Sequence, residues 1–176
     1  ELAAAYYERE QYAVALQEIA VALQAESEYA TAYSVRALIR MALREDEQAD
    51  ADFRLSVQLD SSNSETRNNY GWFLCQRGRE KESLRQFQEA LKNPLYATPE
   101  MAYVNLGMCS MKAGLPQEAE GNFQRALVLR PGREERRWNP NFLRFAGHYR
   151  FNPVACTPRQ PQSKGKVENP FCHLEE

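Results

Sequence analysis

Small and bulky apolar side chains recur along the chain at the three- and four-residue spacing of one helix face. Each occurrence has a small residue, a bulky one four positions later, and a second small residue after three more. The pattern occurs four times, at intervals of 34, 34 and 36 residues: Ala15-Ile19-Ala22, Ala49-Phe53-Ser56, Ser83-Phe87-Ala90 and Ala119-Phe123-Ala126. A period of this length predicts stacked two-helix units.

A pair of glycines repeats in the same register. Gly71 lies inside an apolar helix, where it lets a neighbouring helix come close, and Gly78 follows where that helix is expected to end. Gly107 and Gly114 repeat the pair 36 residues later. The arrangement resembles the tetratricopeptide repeat, which has two antiparallel helices in each unit of about 34 residues.

The predicted fold class is therefore all-α, a tetratricopeptide-repeat α-solenoid of about three and a half helical hairpins. The first unit is incomplete, and its second helix is expected at Tyr12–Gln24. The lengthened connection at residues 93–99 accounts for the 36-residue step. The predicted units are residues 1–29 (partial), 30–63, 64–99 and 100–131.

Composition changes after Pro131. Residues 1–131 carry a net charge of −5 and residues 132–176 a net charge of +3, within an overall charge of −2. Five of the nine prolines also fall in the second stretch. We therefore expect residues 132–176 to be a separate tail, with a short helix at about 139–149 and an irregular segment beyond it.

Composition also narrows the class of protein. Hydrophobic residues make up 43% and charged residues 26% of the chain, which is typical of globular domains. No apolar run approaches the roughly 18 residues of a membrane-spanning helix. The first seven residues look like the middle of a repeat helix, so we expect the native start, with any export signal or lipid anchor, to lie upstream.

The two central units carry motifs more specific than the repeat itself. Residues 68–75 (Asn-Asn-Tyr-Gly-Trp-Phe-Leu-Cys), 95–99 (Leu-Tyr-Ala-Thr-Pro) and 105–110 (Asn-Leu-Gly-Met-Cys-Ser), with the Ala119-Glu120 pair, are similar to the type IV pilus biogenesis/stability family PilW, also called PilF. The resemblance covers about residues 1–131. It implies a periplasmic, outer-membrane-associated lipoprotein, a pilotin that assists secretin assembly or stabilises pili.

The resemblance also implies a partner and a site. The partner would be a protein, either a secretin subunit or a pilus-assembly component, and membrane contact would need a lipid anchor that this chain lacks. In such repeats the sixth and ninth positions of the first helix face the concave groove. An asparagine there can bond both N–H and C=O of an extended peptide, and Trp and Met supply apolar contact. The predicted groove residues are Asn69, Trp72, Asn105 and Met108; the alternative is a solvated helix surface.

The cysteines give a second candidate feature. Cys75 and Cys109 fall at nearly equivalent places on adjacent first helices, where an oxidising periplasm could join them in a disulfide. Two buried free thiols are the alternative. No metal site or cofactor is predicted, because the remaining Cys and His residues do not match zinc spacing: His148, Cys156, Cys172 and His173.

The tail has an unrelated resemblance. Residues 138–149, 151–156 and 162–168 are similar to the end of the catalytic domain of IstA-like insertion-sequence transposases. The last acid of that family's Asp-Asp-Glu metal site maps to Glu168, but repeats occupy the place of the two aspartates. Two-metal phosphoryl transfer needs several convergent carboxylates, so we predict no catalysis, and no nucleic-acid partner is expected. The alternative function is a transposase fragment fused to a repeat scaffold.

Overall fold

The structure is a computed structural model that describes the backbone of residues 2–128 and the side chains of residues 2–126. The chain divides into two units, Glu1–Arg130 and Pro131–Glu176, and the description concerns the first. The helix predicted at 139–149, the rest of the tail and Glu168 lie outside the described residues.

Regular structure in the described residues is helical, as the predicted fold class requires. Consecutive helices are joined mostly by short turns and pair into four hairpins. The helices are α1 (Leu2–Glu8), α2 (Tyr12–Ala25), α3 (Ala30–Ala42), α4 (Asp46–Leu59), α5 (Ser64–Gln76), α6 (Glu80–Ala90), α7 (Pro99–Lys112) and α8 (Pro116–Val128). The observed α2 extends one residue beyond its predicted end.

The helices form two layers. The first helices of the hairpins (α1, α3, α5 and α7, the first-helix layer) contact one another in sequence. Within residues 2–128, the second helices (α2, α4, α6 and α8) contact first helices but not each other. Because the first helices contact one another from hairpin to hairpin, they form a continuous layer along one side of the stack.

An aromatic ring seated on a small residue holds each of the last three hairpins together. The Phe87 ring lies against Gly71, and the Phe123 ring against Gly107, so closely that an added Cβ would lie 2.8 Å and 2.5 Å from the respective ring. In the second hairpin, fully buried Phe53 packs in one cluster with Ala37. Burying an aromatic side chain stabilises a fold by about 2–3 kcal/mol, and the absence of a large side chain opposite makes that burial possible.

We expect Gly107→Ala to lower the free energy of unfolding by about 1–3 kcal/mol, because the new methyl group would overpack a buried ring. Gly121→Ala is the matched control: Gly121 lies inside α8 and nothing stands within 4 Å of its Cβ position. It should raise stability by up to about 1 kcal/mol through helix propensity. Urea denaturation measures both changes, and equal effects would contradict the packing argument.

All four first helices end in the same turn. The residue after the last helical turn has positive φ at Glu10 (59°), Arg44 (66°), Gly78 (72°) and Gly114 (76°). In each turn the next amide donates to the carbonyl five residues earlier, for example from Glu45 N to Arg40 O at 2.9 Å and from Arg79 N to Leu74 O at 3.0 Å. This is the Schellman arrangement, which favours glycine at the left-handed position. Two of the four positions hold other residues.

Charged side chains tie the second hairpin to the third. Asp50 of α4 accepts hydrogen bonds from the Tyr70 hydroxyl at 2.8 Å, Arg79 Nη1 at 2.9 Å and Arg54 Nε at 2.9 Å. Burial raises the pKa of this carboxyl, but the bonds from Tyr70 and Arg79 outweigh it and hold the pKa below its usual value. Burial, with the bond to Asp50, raises the pKa of Tyr70 to about 12.

The lowered pKa of Asp50 makes this junction sensitive to acid. A carboxyl whose pKa is lower in the folded state contributes stability above its unfolded pKa of about 3.9, and the contribution is lost as pH falls through the folded value. We expect Asp50→Asn to cost about 1–2 kcal/mol at pH 7 and progressively less below about pH 4. Exposed Glu47→Gln in the same helix is the control. Urea midpoints at pH 7 and pH 3 test this, and a cost that does not change with pH would contradict it.

Candidate functional site

The structure brings the four predicted groove residues onto two adjacent helices of the first-helix layer. Asn69 and Trp72 lie on α5, Asn105 and Met108 lie on α7, and these two helices contact each other. Asn69, Trp72 and Met108 are half-buried, whereas Asn105 is only 8% exposed. The part of the helix surface that carries them is therefore partly open to solvent.

The buried amide of Asn105 has a partner that the sequence analysis did not single out. Asn105 Nδ2 donates to Asn68 Oδ1 at 3.0 Å, and both residues are buried. The observed amide pair therefore joins Asn105 to Asn68 rather than to Asn69. Each amide keeps one further hydrogen-bonding group, since an Asn side chain has both donors and an acceptor. Repeat periodicity could not identify this pair, because the two residues are 37 positions apart.

Trp72 is the main apolar feature of this surface. One side of its ring packs against the cluster formed by Cys75, Phe87, Leu106 and Cys109. It also lines a shallow depression of about 310 Å³ on the ends of α3 and α5. The other lining residues are Met41, Ala42, Arg44, Gln76 and Arg77. We call this the Trp72 depression; it joins apolar side chains to two guanidinium groups.

One of those two positive charges is internally neutralised. Arg77 binds both carboxylate oxygens of Asp46, with Nε–Oδ2 at 2.7 Å and Nη2–Oδ1 at 2.5 Å. These bonds hold the pKa of the Asp46 carboxyl below its usual value. The Arg77 guanidinium also lies 5.4 Å from the centre of the Phe73 ring. Arg77 is thus held in place by its neighbours, while Arg44 stands exposed at the rim.

A disulfide joins the first helices of the third and fourth hairpins. The sulfur atoms of Cys75 and Cys109 are 2.00 Å apart and their Cα atoms 5.9 Å apart, within the range that a disulfide requires. Both residues are buried in the cluster against which Trp72 packs. The bridge therefore fixes α5 relative to α7 directly beneath the predicted groove.

We expect reduction of this disulfide to lower the free energy of unfolding by about 3–4 kcal/mol, because it opens a loop whose ends are 34 residues apart in the unfolded chain. Urea midpoints with and without dithiothreitol measure the shift. The Cys75→Ser/Cys109→Ser double variant should be indifferent to the reductant. Alkylation of all four cysteines without prior reduction would contradict the bridge.

A second opening lies on the side of the second helices. It has a volume of about 430 Å³ between α6, α7 and α8, with Tyr103 and Leu106 among lining residues that are mostly polar. The guanidinium of Arg125 sits 5.9 Å from the centre of the Tyr103 ring. The longer connection before α7 was visible in the sequence as the 36-residue step, but it did not indicate an opening.

A buried carboxylate inside the second hairpin was also missed. Asp52 is 4% exposed and accepts hydrogen bonds from Arg36 Nε and Nη2 at 2.8 and 2.7 Å and from Arg40 Nη1 at 2.7 Å. The two arginines satisfy a charge that would otherwise be costly to bury. This network joins α3 to α4 and leaves no open coordination position, so its role is to hold the hairpin together.

Neither a metal-binding cluster of side chains nor a helix that could span a membrane is found in the described part of the chain. Among residues 2–126, no group of three or more His, Cys, Asp or Glu side chains could hold a metal ion. No described helix combines the length and the apolar character needed to cross a membrane. What the surface offers is shape, apolar contact and hydrogen-bonding groups.

Stacked antiparallel hairpins, an aromatic ring seated on a small residue, and Schellman turns at a period near 34 residues define a tetratricopeptide-repeat protein. Comparison with known proteins agrees. Over 108 residues the chain is 31% identical to the type IV pilus assembly protein PilF of Pseudomonas aeruginosa, a match that covers 61% of this chain and 43% of PilF. No protein-family model matches the sequence.

Solved structures give the same result. The crystal structure of PilW, a widely conserved type IV pilus biogenesis factor, matches with a TM-score of 0.70 at 37% identity, over 74% of this chain and 60% of that one. The Pseudomonas aeruginosa PilF structure matches with a TM-score of 0.72 at 28% identity, over 75% and 60%. The chain is thus PilW- and PilF-like, as predicted from its central motifs, and spans less than two thirds of those proteins.

The predicted second resemblance is confirmed at the level of sequence. A stretch of 53 residues, 30% of this chain, is 43% identical to the transposase of insertion sequence element IS640 from Shigella sonnei. It spans 17% of that transposase.

Proposed function

We propose that this chain is a protein-interaction module of type IV pilus biogenesis, and that its first-helix layer binds an extended segment of another assembly protein. The observation that carries the proposal is the Trp72 depression, an open site of mixed apolar and polar lining on the first-helix layer of a PilF- and PilW-like solenoid. Trp is the side chain most often found at the energetic centre of protein interfaces. Half-buried Met108 on the next helix extends the apolar surface.

The finer proposal is a pilotin-like role. The partner would be a secretin subunit, and the chain would work in the periplasm at the outer membrane. Asn69 and the Asn68–Asn105 pair would supply hydrogen bonds to the backbone of the bound segment, because amides present both donors and acceptors. Backbone recognition of this kind tolerates sequence changes in the partner, so specificity must come from the apolar contacts and charges beside it.

A catalytic alternative has one supporting observation, the transposase match. That match spans only 17% of the transposase, whereas two-metal phosphoryl transfer requires several convergent acids. The non-enzymatic, protein-binding proposal rests on a longer match in sequence and fold. It therefore remains the better supported function.

We expect Trp72→Ala to weaken binding to the purified periplasmic region of the secretin from the same organism. The expected loss is about 1 kcal/mol or more, which is roughly fivefold or more in Kd, because a central aromatic anchor is removed. Isothermal titration calorimetry on the full chain measures it. Val21→Ala is the control, since it truncates an exposed apolar side chain on α2, away from the Trp72 depression.

Because Trp72 also packs against buried residues, its variant must be shown to remain folded by circular dichroism and a thermal scan. A folded Trp72→Ala chain with unchanged affinity would contradict the proposed site. Equal losses in Trp72→Ala and Val21→Ala would contradict it as well.

A further inference from the structure

Arg44 occupies a backbone position that suits glycine better. Its φ of 66° is in the left-handed region, where a side chain is disfavoured. The equivalent positions after α5 and α7 are Gly78 and Gly114, with the same pattern of backbone hydrogen bonds. A residue kept in an unfavourable backbone conformation points to a role for its side chain.

The described part of the chain supplies no such role. Among residues 2–126, the Arg44 side chain makes no hydrogen bond and no ion pair within 4 Å, and it is attracted to Asp46 at longer range. That carboxylate is already bound at both oxygens by Arg77. The guanidinium of Arg44 is exposed, so its donors remain available to another molecule.

The position of Arg44 indicates what that molecule would present. Arg44 lines the Trp72 depression beside Met41 and Trp72, whose side chains form its apolar walls. The charge of Arg77 is offset by Asp46, so Arg44 leaves a net positive charge at the rim. A guanidinium beside the apolar side chains of Met41 and Trp72 complements a carboxylate next to an apolar side chain, because Arg donates to a carboxylate through two parallel N–H groups.

We propose that Arg44 selects the partner segment: the Trp72 depression receives one large apolar side chain, and Arg44 binds a carboxylate adjacent to it in the same segment. The proposal rests on the function proposed above and adds the chemistry of the partner, an extended protein segment with an acidic residue beside an apolar one. Glycine would fit this turn better but offers no guanidinium.

The chain contains a matched control for this idea. Glu10 has the same left-handed conformation after α1 (φ 59°), but it does not line the depression. Arg44→Gly and Glu10→Gly therefore remove the same backbone conflict, and both should leave the Tm unchanged or raise it by a few degrees. Only Arg44→Gly should alter binding, which separates recognition from stability.

The probes are three Gly/Ser-rich nonapeptides that differ at one central position and contain Phe-Glu, Phe-Gln or Phe-Lys. Binding is followed by the fluorescence of Trp72 in the full chain carrying Trp138→Phe, since the sequence has two tryptophans. We expect the Phe-Glu peptide to bind about three- to fivefold more tightly than Phe-Gln, the range of a partly exposed ion pair. The preference should shrink in 0.5 M salt and disappear in Arg44→Gly, but not in Glu10→Gly.

Several outcomes would overturn the proposal. Equal binding of the three peptides, or no binding of any, would mean that Arg44 does not bind a carboxylate next to the apolar side chain of a bound segment. Loss of the preference in both glycine variants would assign the effect to the backbone. Vesicles of phosphatidylglycerol that bind the wild type but not Arg44→Gly, without peptide discrimination, would assign Arg44 to a lipid headgroup instead.

The secretin affinities of the Trp72→Ala and Arg44→Gly variants distinguish a failure of this inference from a failure of the proposed function. If Trp72→Ala weakens secretin binding and Arg44→Gly does not, the protein-binding function stands and the acidic preference is wrong. If neither variant changes it, both are wrong. If Arg44→Gly weakens secretin binding and also removes the peptide preference, both are supported.

Discussion

The fold depends on aromatic rings that lie where the opposing helix has no side chain in the way. Phe87 and Phe123 occupy the space that a Cβ would take at Gly71 and Gly107, so each hairpin closes more tightly than two helices of average side chains would allow. Close packing inside each hairpin fixes the angle of its helices, and that angle sets how the next hairpin can stack. The shape of the first-helix layer therefore depends on a few small residues.

The sequence predicted this part well, because its signal is periodic. Small residues and rings repeat at about 34 residues, and helix bounds such as those of α2 followed to within one residue. Features formed between hairpins were not predictable in the same way. The Asn68–Asn105 bond and the Asp50–Arg79 pair join residues whose separation is set by stacking geometry, and single side chains at such junctions carry no period.

The residues of the candidate site likewise fall into those that periodicity predicts and those that it does not. Periodicity predicted Trp72 as a groove residue, because its position in the first helix recurs in each unit. Arg44 was missed, because it lies two residues beyond the end of α3 at Ala42, and the role proposed for it rests on a dihedral angle and on the lining of the depression. Sequence motifs identified the family resemblance, whereas the chemistry of a bound segment depends on side chains contributed by two hairpins.

The junctions between hairpins differ in kind, and this has a mechanical consequence. A covalent bridge between Cys75 and Cys109 closes the last junction, whereas the preceding one is tied by the carboxylates of Asp46 and Asp50 to arginines across the gap. The disulfide keeps the third and fourth hairpins from separating when the chain is pulled, whereas the salt bridges and buried apolar contacts between the second and third hairpins can break without the loss of a covalent bond. The Trp72 depression is lined by residues of the second and third hairpins, so a segment bound there would add contacts across a junction that has no covalent bridge.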